Sequence, residues 1–271
     1  MAVPKFTYDC PSRKLLNFGH WLLDCAPQVV VLSTIAPDAL VLLPQPIKKF
    51  QEATLSLLGI DRRRLVAWDG SPVDCGRLLA FEHDGRTGGG RPLSPLMEVR
   101  RRVAAWPGGS LGRTRRVYVS RRDANARRRW VTNEDDVEAL FRSRGFDVMT
   151  MADCPLDEQV RIFQQSRIVA GISGSGLTDV LFSAPGTDVI VLLSDALIRW
   201  YADGAGGRSL WAQGSRTLRG ELAPLGDSPR FYAHLTAAFE QRCHSFLAGD
   251  RMPVDRLTGF LDEVLATVDG A

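Results

Sequence analysis

A turn rich in glycine and serine, placed between an apolar segment and a predicted helix, is well suited to binding an anion. Residues 168–182 are IVAGISGSGLTDVLF, so the apolar segment ends directly in Ser173, Gly174, Ser175 and Gly176. Such a turn presents backbone N–H groups and the positive end of a helix to an anion. Gly174 and Gly176 would let a phosphate approach the backbone, and the two serines could donate hydroxyl hydrogen bonds. The pattern is neither GxGxxG nor GxxxxGK[ST], so a strand-to-helix turn without a ligand is the alternative.

Arginines form a second candidate group for phosphate binding. Residues 113–129 contain eight arginines against one acid, Asp123. Guanidinium groups donate paired hydrogen bonds to phosphate oxygens, so Arg121 and Arg128 could neutralise a diphosphate in place of a metal ion. Arg121 follows a predicted strand, and α/β sheets bind ligands at the carboxyl ends of their strands. We therefore expect Arg121 to meet the 173–176 turn at that edge, with an exposed basic loop as the alternative.

His20 and Asp24 form a third candidate group. They are four residues apart in the segment NFGHWLLD, residues 17–24, so on a helix they share one face. The Asp24 carboxylate could orient the imidazole of His20 as a general base towards a hydroxyl group. The alternative is a histidine that only packs in the core of an apolar helix.

The sequence lacks the motifs of several other enzyme classes. HExxH, the zinc-binding motif of many metalloproteases, is absent. No D-x-D triplet is present to chelate a metal ion beside a diphosphate. The five cysteines contain no CxxC pair, so we expect buried free thiols instead of a zinc site or a disulfide framework. We therefore expect neither a cofactor nor a metal ion to be required.

Composition and charge favour a globular protein that binds no nucleic acid. The chain is 45% hydrophobic and 24% charged, with a net charge of +3. Only Tyr118 and Trp130 lie near the arginine run, whereas nucleic-acid sites interleave aromatic residues with the charge. A polyanion-binding module built on that run is a rival interpretation. The chain lacks a run of about 18 apolar residues and an N-terminal apolar core. We therefore expect a cytoplasmic protein, with peripheral contact to the inner membrane left open.

Alternating strands and helices predict the elements that would position these groups. The second half contains four predicted strands, at residues 117–120, 146–151, 168–172 and 188–193. Helices are predicted between them, starting near Asn133, at Pro155 and after Gly176. This alternation predicts a parallel sheet. The first half is less regular, with a helix at 18–33 interrupted at Pro27, strands at 39–43 and 65–68, and a helix at 48–58.

Two glycine-rich stretches, at residues 84–92 and 107–112, mark candidate linkers because glycine raises the entropic cost of ordering the chain. We place the domain boundary at the second stretch. The prediction is a reduced α/β domain at 1–110, a Rossmann-like domain at 111–250, and an amphipathic helix at 251–271.

Four segments of the chain resemble glycosyltransferase family 61. That family includes bacterial capsular-polysaccharide transferases, plant xylan transferases and animal O-GlcNAc or O-mannose-extending enzymes. The segments occur in the family's order within residues 15–195, as NFGHWLLD, FQEATLSLLGI, YVSRRDANARRRWVTNEDDVEALFRSRGF and EQVRIFQQSRIVAGISGSGL. A fainter similarity covers VDRLTGFLDEVL near the end of the chain. Together these segments are more specific than any one of them alone.

The resemblance implies an α/β fold of the GT-B-like type, with two Rossmann-like lobes, parallel sheets and a reduced N-terminal lobe. It implies inverting transfer of a sugar from a nucleotide-sugar donor to a saccharide or lipid-linked glycan, as in polysaccharide biosynthesis. The donor would lie on the C-terminal lobe, and the acceptor would enter from the N-terminal side. His20 matches the family's N-terminal histidine, and with Asp24 it is the predicted catalytic pair. The predicted donor-binding residues are Arg121, Arg128, Asn133, Glu134, Gly171, Ser173, Gly174, Ser175, Gly176 and Asp179.

The chain departs from the family pattern at three positions. Ser173 stands where the family usually has histidine, and Asp179 stands where it has asparagine. Val191 occupies the place of an acidic residue on the last predicted strand. A catalytically degenerate protein, which binds nucleotide sugars or glycans without transferring them, is therefore an alternative to an active transferase.

Overall fold

The computed structural model describes residues 2–3, 17–80, 93–106, 112–123, 131–196 and 227–270. The chain divides into two compact units, Met1–Gly108 and Gly109–Ala271. Within the described residues, no helix combines the length and the apolar character that crossing a membrane requires. Arg128, which the sequence placed at the donor site, lies outside the described residues, together with Arg127 and Arg129.

The N-terminal unit contains a four-stranded parallel sheet with the order β3-β2-β1-β4. Its strands are β1 (Ala2–Val3), β2 (Val41–Pro44), β3 (Leu65–Trp68) and β4 (Leu79–Ala80). Its helices are α1 (Phe18–His20), α2 (Ala26–Ile35), α3 (Lys49–Leu57) and α4 (Leu93–Ala104), with a short 3₁₀ helix at Arg62–Arg64. Strands of two to four residues make this a small Rossmann-like unit, as the resemblance implied.

The interruption predicted at Pro27 is a π-helical turn, Trp21–Cys25, between α1 and α2. Proline has no N–H, so Pro27 cannot donate the hydrogen bond that would continue α1 as a regular helix. Instead the Ala26 N–H donates to the Trp21 carbonyl, five residues back, and α2 starts at Ala26. Trp21 is fully buried. The π turn therefore sits directly after His20 and includes Asp24.

The C-terminal unit contains a five-stranded sheet with the order β6-β5-β7-β8-β9, and every neighbouring pair is parallel. Its strands are β5 (Arg115–Val119), β6 (Asp147–Met149), β7 (Ser166–Ile172), β8 (Asp188–Ser194) and β9 (Arg242–Ala248). The four strands predicted in this half are all present. The mixed α/β class with parallel sheets is therefore confirmed.

Helices cover both faces of this sheet. They are α5 (Glu134–Ser143), α6 (Leu156–Gln164), a 3₁₀ helix at Ser175–Phe182, α7 (Asp227–Ala238) and α8 (Val254–Asp269). Tyr118 and Ile172 share a core cluster with Phe141 of α5 and Leu257 of α8. The 3₁₀ helix packs against α6 and β7. Since α8 contributes to this core, it is an integral part of the C-terminal unit.

The strand order defines a switch point between β5 and β7. From β5 the chain runs through α5 to β6 on one side, and it then returns through α6 to β7 on the other side. In open parallel sheets with this kind of order, ligands bind outside the carboxyl ends of the strands at the switch point. The residues that directly follow β5 and β7 therefore lie where a ligand-binding site is expected.

Candidate functional site

Arg121 and the 173–176 turn meet at the switch point. Val119, the last residue of β5, pairs with Gly171 of β7, so the segments that follow these strands emerge side by side. Arg121 Nη1 donates to the carbonyl oxygen of Ser173 at 2.7 Å. Ser173 is buried, and its N–H donates to the carbonyl of Leu192 in β8. The structure thus brings two of the sequence-predicted groups into direct contact.

The glycines around this turn are closely packed against other protein atoms. A Cβ on Gly174 would lie 1.5 Å from Arg121 Nη1, so the guanidinium occupies the space that a side chain would need. A Cβ on Gly171 would lie 3.0 Å from the Val119 carbonyl oxygen, and one on Gly176 would lie 3.1 Å from Val119 Cγ1. The sequence predicts that Gly174 and Gly176 let a phosphate approach the backbone. In the structure their missing side chains make room for Arg121 and Val119.

The helix predicted after the turn is a 3₁₀ helix, Ser175–Phe182, and not an α-helix. At its start, the Leu177 N–H donates to the Gly174 carbonyl, three residues back, at 3.0 Å. The Thr178 hydroxyl donates to the Ser175 carbonyl at 2.5 Å. The positive end of this helix still lies at the carboxyl edge of the sheet, because the helix follows β7 directly.

Two buried acidic residues, Glu134 and Glu138, hold the segment that carries Arg121. The Arg121 N–H donates to Glu134 Oε1 at 2.6 Å, and the Ser120 hydroxyl donates to Glu138 Oε1 at 2.7 Å. Burial raises the pKa of Glu134 above its ordinary value, more than the Arg121 N–H lowers it. For Glu138 burial acts the same way, but hydrogen bonds from Arg122, Ser120 and Arg142 outweigh it and lower the pKa. Glu138 is therefore held as a buried carboxylate.

Glu138 is the member of this buried acidic pair that no motif in the sequence indicated. A signal was present, because Glu138 stands four residues after Glu134 and adjoins Val137 in an apolar helical stripe. An acid at such a position needs cationic partners when it is buried. Arg122 Nε lies 2.7 Å and Arg142 Nη2 lies 2.8 Å from its carboxylate.

Asn133 has a structural task that differs from the predicted donor contact. Its side-chain amide donates to the Met252 carbonyl at 3.0 Å, and its Oδ1 accepts from the Met252 N–H at 2.8 Å. Asn133 occupies the N-cap position of α5, but its side chain makes no capping bond. These paired bonds join the start of α5 to the segment before α8, so both polar groups of the Asn133 side chain already have partners within the protein.

Asp179 lies inside the fold and not at the surface of the site. Its side chain is fully buried in the 3₁₀ helix, and neither carboxyl oxygen has a hydrogen-bond partner among the described residues. Burial raises the pKa of Asp179 well above its ordinary value. Val191 is also fully buried, in the middle of β8 opposite Gly171. The Asp179 side chain is therefore not exposed for contact with a donor in this structure.

Replacing Asp179 by asparagine should stabilise the protein at neutral and alkaline pH. The carboxyl favours folding only below its unfolded-state pKa, and this contribution is lost as the pH rises towards the higher folded-state pKa. Asparagine has a similar size and carries no charge. We expect Asp179→Asn to raise the melting temperature by a few degrees at pH 8 and to change it little near pH 4. For a protein of about this size, a stability change of about 1 kcal/mol shifts the melting temperature by roughly 2–4 °C.

Asp188 provides the matched control, because it is also fully buried but is partnered. Its Oδ1 accepts from Arg242 Nε and His244 Nε2, each at 2.8 Å, and these bonds lower the pKa of Asp188 despite burial. Asp188→Asn should therefore destabilise the protein above the ordinary aspartate pKa. If the melting temperatures of the wild type and Asp179→Asn differ by the same amount at every pH, Asp179 does not titrate as described.

His20 and Asp24 form a hydrogen-bonded pair in the N-terminal unit. His20 Nδ1 lies 2.8 Å from Asp24 Oδ2, and the two side chains are 33% and 29% exposed. Asn17 caps this short helix, since its Oδ1 accepts from the His20 N–H at 3.2 Å. Gln28 Nε2 donates to the Asp24 carbonyl at 2.7 Å and so steadies the π turn. The imidazole is therefore held at Nδ1, in an orientation that suits a general base acting through Nε2.

The fold and the comparisons place the chain among the Rossmann-like glycosyltransferases. The sequence model described as Glycosyltransferase 61 matches residues 18–190, which is more than half of the chain. The protein therefore belongs to glycosyltransferase family 61. The matched segment begins two residues before His20 and includes Arg121 and the 173–176 turn, but it ends before α7, β9 and α8. No curated protein matches the chain.

Proposed function

We propose that this glycosyltransferase transfers a sugar from a nucleotide-sugar donor to a saccharide or lipid-linked glycan, with inversion at the anomeric carbon. The observation that carries the proposal is the contact of the Arg121 guanidinium with the 173–176 turn at the switch point. This arrangement puts a fixed positive charge beside the start of a helix, and both favour an anion such as a diphosphate.

Buried residues fix the position of Arg121 in the proposed donor site. Glu134 holds the Arg121 backbone, and Ser120 connects this segment to Glu138. A guanidinium fixed in this way needs little reorganisation when charge develops on a leaving diphosphate. Arg121 and the helix start would therefore supply the stabilisation that a divalent metal ion supplies in other transferases, and we propose a metal-independent reaction.

The His20–Asp24 pair would activate the acceptor. In the proposed step, His20 takes the proton of an acceptor hydroxyl while that oxygen bonds to the anomeric carbon. The bond from this carbon to the diphosphate breaks at the same time, and the nucleoside diphosphate leaves with the electron pair. Asp24 orients the ring and stabilises the imidazolium that forms.

A protein that binds nucleotide sugars without transferring them is the second candidate. It is favoured by Ser173, which replaces the histidine of the family pattern, and by the burial of Asp179 and Val191. The two candidates share the donor site and differ only in turnover.

A binding screen followed by a turnover assay tests the proposal. The purified chain is titrated with UDP, GDP and CDP and with their sugars, with and without Mg²⁺, and melting temperature and calorimetric affinity are measured. We expect selective stabilisation by one nucleotide series without a metal requirement. Binding with hydrolysis or transfer of the sugar supports the transferase, and binding without turnover supports the second candidate. Affinity that ignores the nucleotide and falls steeply with salt would instead support a polyanion-binding protein.

A further inference from the structure

Tyr232 lies outside the segment that matches the family, yet it contacts the 173–176 turn. It belongs to α7, is 2% exposed, and donates its hydroxyl to the Gly174 carbonyl oxygen at 3.0 Å. Its ring packs against Phe231 with centroids 4.9 Å apart. A buried phenol whose hydroxyl reaches this turn links the last third of the chain to the proposed donor site.

Two successive carbonyl groups of the turn are held by side chains from different elements. The Ser173 carbonyl accepts from Arg121 Nη1, and the Gly174 carbonyl accepts from the Tyr232 hydroxyl and from the Leu177 N–H. In a planar trans peptide, the N–H points opposite to the C=O of the same peptide unit. These bonds therefore set the directions of the Gly174 and Ser175 N–H groups, which lie at the start of the 3₁₀ helix.

We propose that Tyr232 is a positioning residue for donor binding, because its hydroxyl orients the Gly174–Ser175 peptide towards the donor diphosphate. This inference rests on the proposed function of the turn. Tyr232 acts through the peptide and not on the reacting atoms, so its hydroxyl should affect affinity for the donor more than the chemical step. It also follows that residues 18–190 alone do not contain the complete donor site.

Tyr232→Phe tests this role, because it removes the hydroxyl and keeps the ring packing. Thr236→Val is the matched control. Thr236 is also buried in α7, and its hydroxyl donates to carbonyls of its own helix, to Tyr232 at 2.7 Å and Ala233 at 3.2 Å. We expect Tyr232→Phe to weaken binding of the preferred nucleoside diphosphate by about two- to tenfold. The donor KM should rise by the same factor with kcat nearly unchanged, and Thr236→Val should alter neither.

The outcomes separate this inference from the proposed function. Wild-type affinity and KM in Tyr232→Phe, while Arg121→Ala loses binding, would leave the donor site standing and overturn the role of Tyr232. Equal losses in Tyr232→Phe and Thr236→Val would also overturn it, because they would reflect a general loss of α7 packing. If the wild type binds none of UDP, GDP and CDP, the proposed function fails and the inference fails with it.

Discussion

Replacing His20 by alanine should lower kcat of sugar transfer by about 10²- to 10⁴-fold, the usual contribution of a general base. The affinity for the donor should stay close to that of the wild type, because the proposed donor residues lie in the C-terminal unit. The side chain of His20 is one-third exposed, so its loss should affect stability little. Turnover is measured under saturating donor, and affinity is measured by calorimetry with the nucleoside diphosphate.

His244 offers a matched control for this experiment. It also forms a 2.8 Å contact with an aspartate, Asp188, but it lies on β9 away from the carboxyl edge of the sheet. His244→Ala should retain kcat. Asp24→Asn should cause a smaller loss than His20→Ala, because the amide oxygen can still accept a hydrogen bond from the ring. Full activity of His20→Ala, or equal losses in both histidine variants, would contradict the assignment of His20 as the base.

Replacing Arg121 by alanine should weaken binding of the nucleoside diphosphate by about 10- to 100-fold, since hydrogen bonds to charged groups contribute about 1.5–3 kcal/mol. The reason is twofold: the variant removes the positive charge, and it frees the Ser173 carbonyl from its donor. Arg115→Ala is the matched control, because Arg115 begins β5, the strand that Arg121 follows, and it pairs with Asp147 at 3.0 Å near the opposite edge of the sheet. Equal binding by the two variants would rule out a specific role for Arg121.

Gly174→Ala provides an independent check on the same contact. The new Cβ would collide with Arg121 Nη1, and the end of this flexible side chain must move. We expect a modest change in stability and a loss of binding that approaches the loss in Arg121→Ala. In the double variant the two effects should not add, because both act on one interaction. Additive losses would mean that Gly174 contributes to binding in some other way.

Local sequence patterns predicted most of the C-terminal unit. Continuous apolar runs identify strands that are covered on both faces, as with residues 189–193 of β8. They did not identify β9, an edge strand on which Arg242, Ser245 and Leu247 are exposed. Its sequence, RCHSFLA, therefore lacks such a run. The predicted α-helix after Gly174 is a 3₁₀ helix, and the close packing of Gly176 on Val119 accompanies this tighter winding.

The sequence by itself determined the α/β class, the family and the residue types available for chemistry, since these depend on periodicity and on motifs within short segments. The sequence also predicted that Arg121 meets the 173–176 turn, but only the tertiary structure decided which atoms form that contact and that Tyr232 joins it. Arg121 and Ser173 are 52 residues apart, and Tyr232 and Gly174 are 58 residues apart. Their contacts depend on β5 lying beside β7 and on the placement of α7. Strand order and helix placement result from packing of the whole unit, and no local pattern in the sequence encodes them.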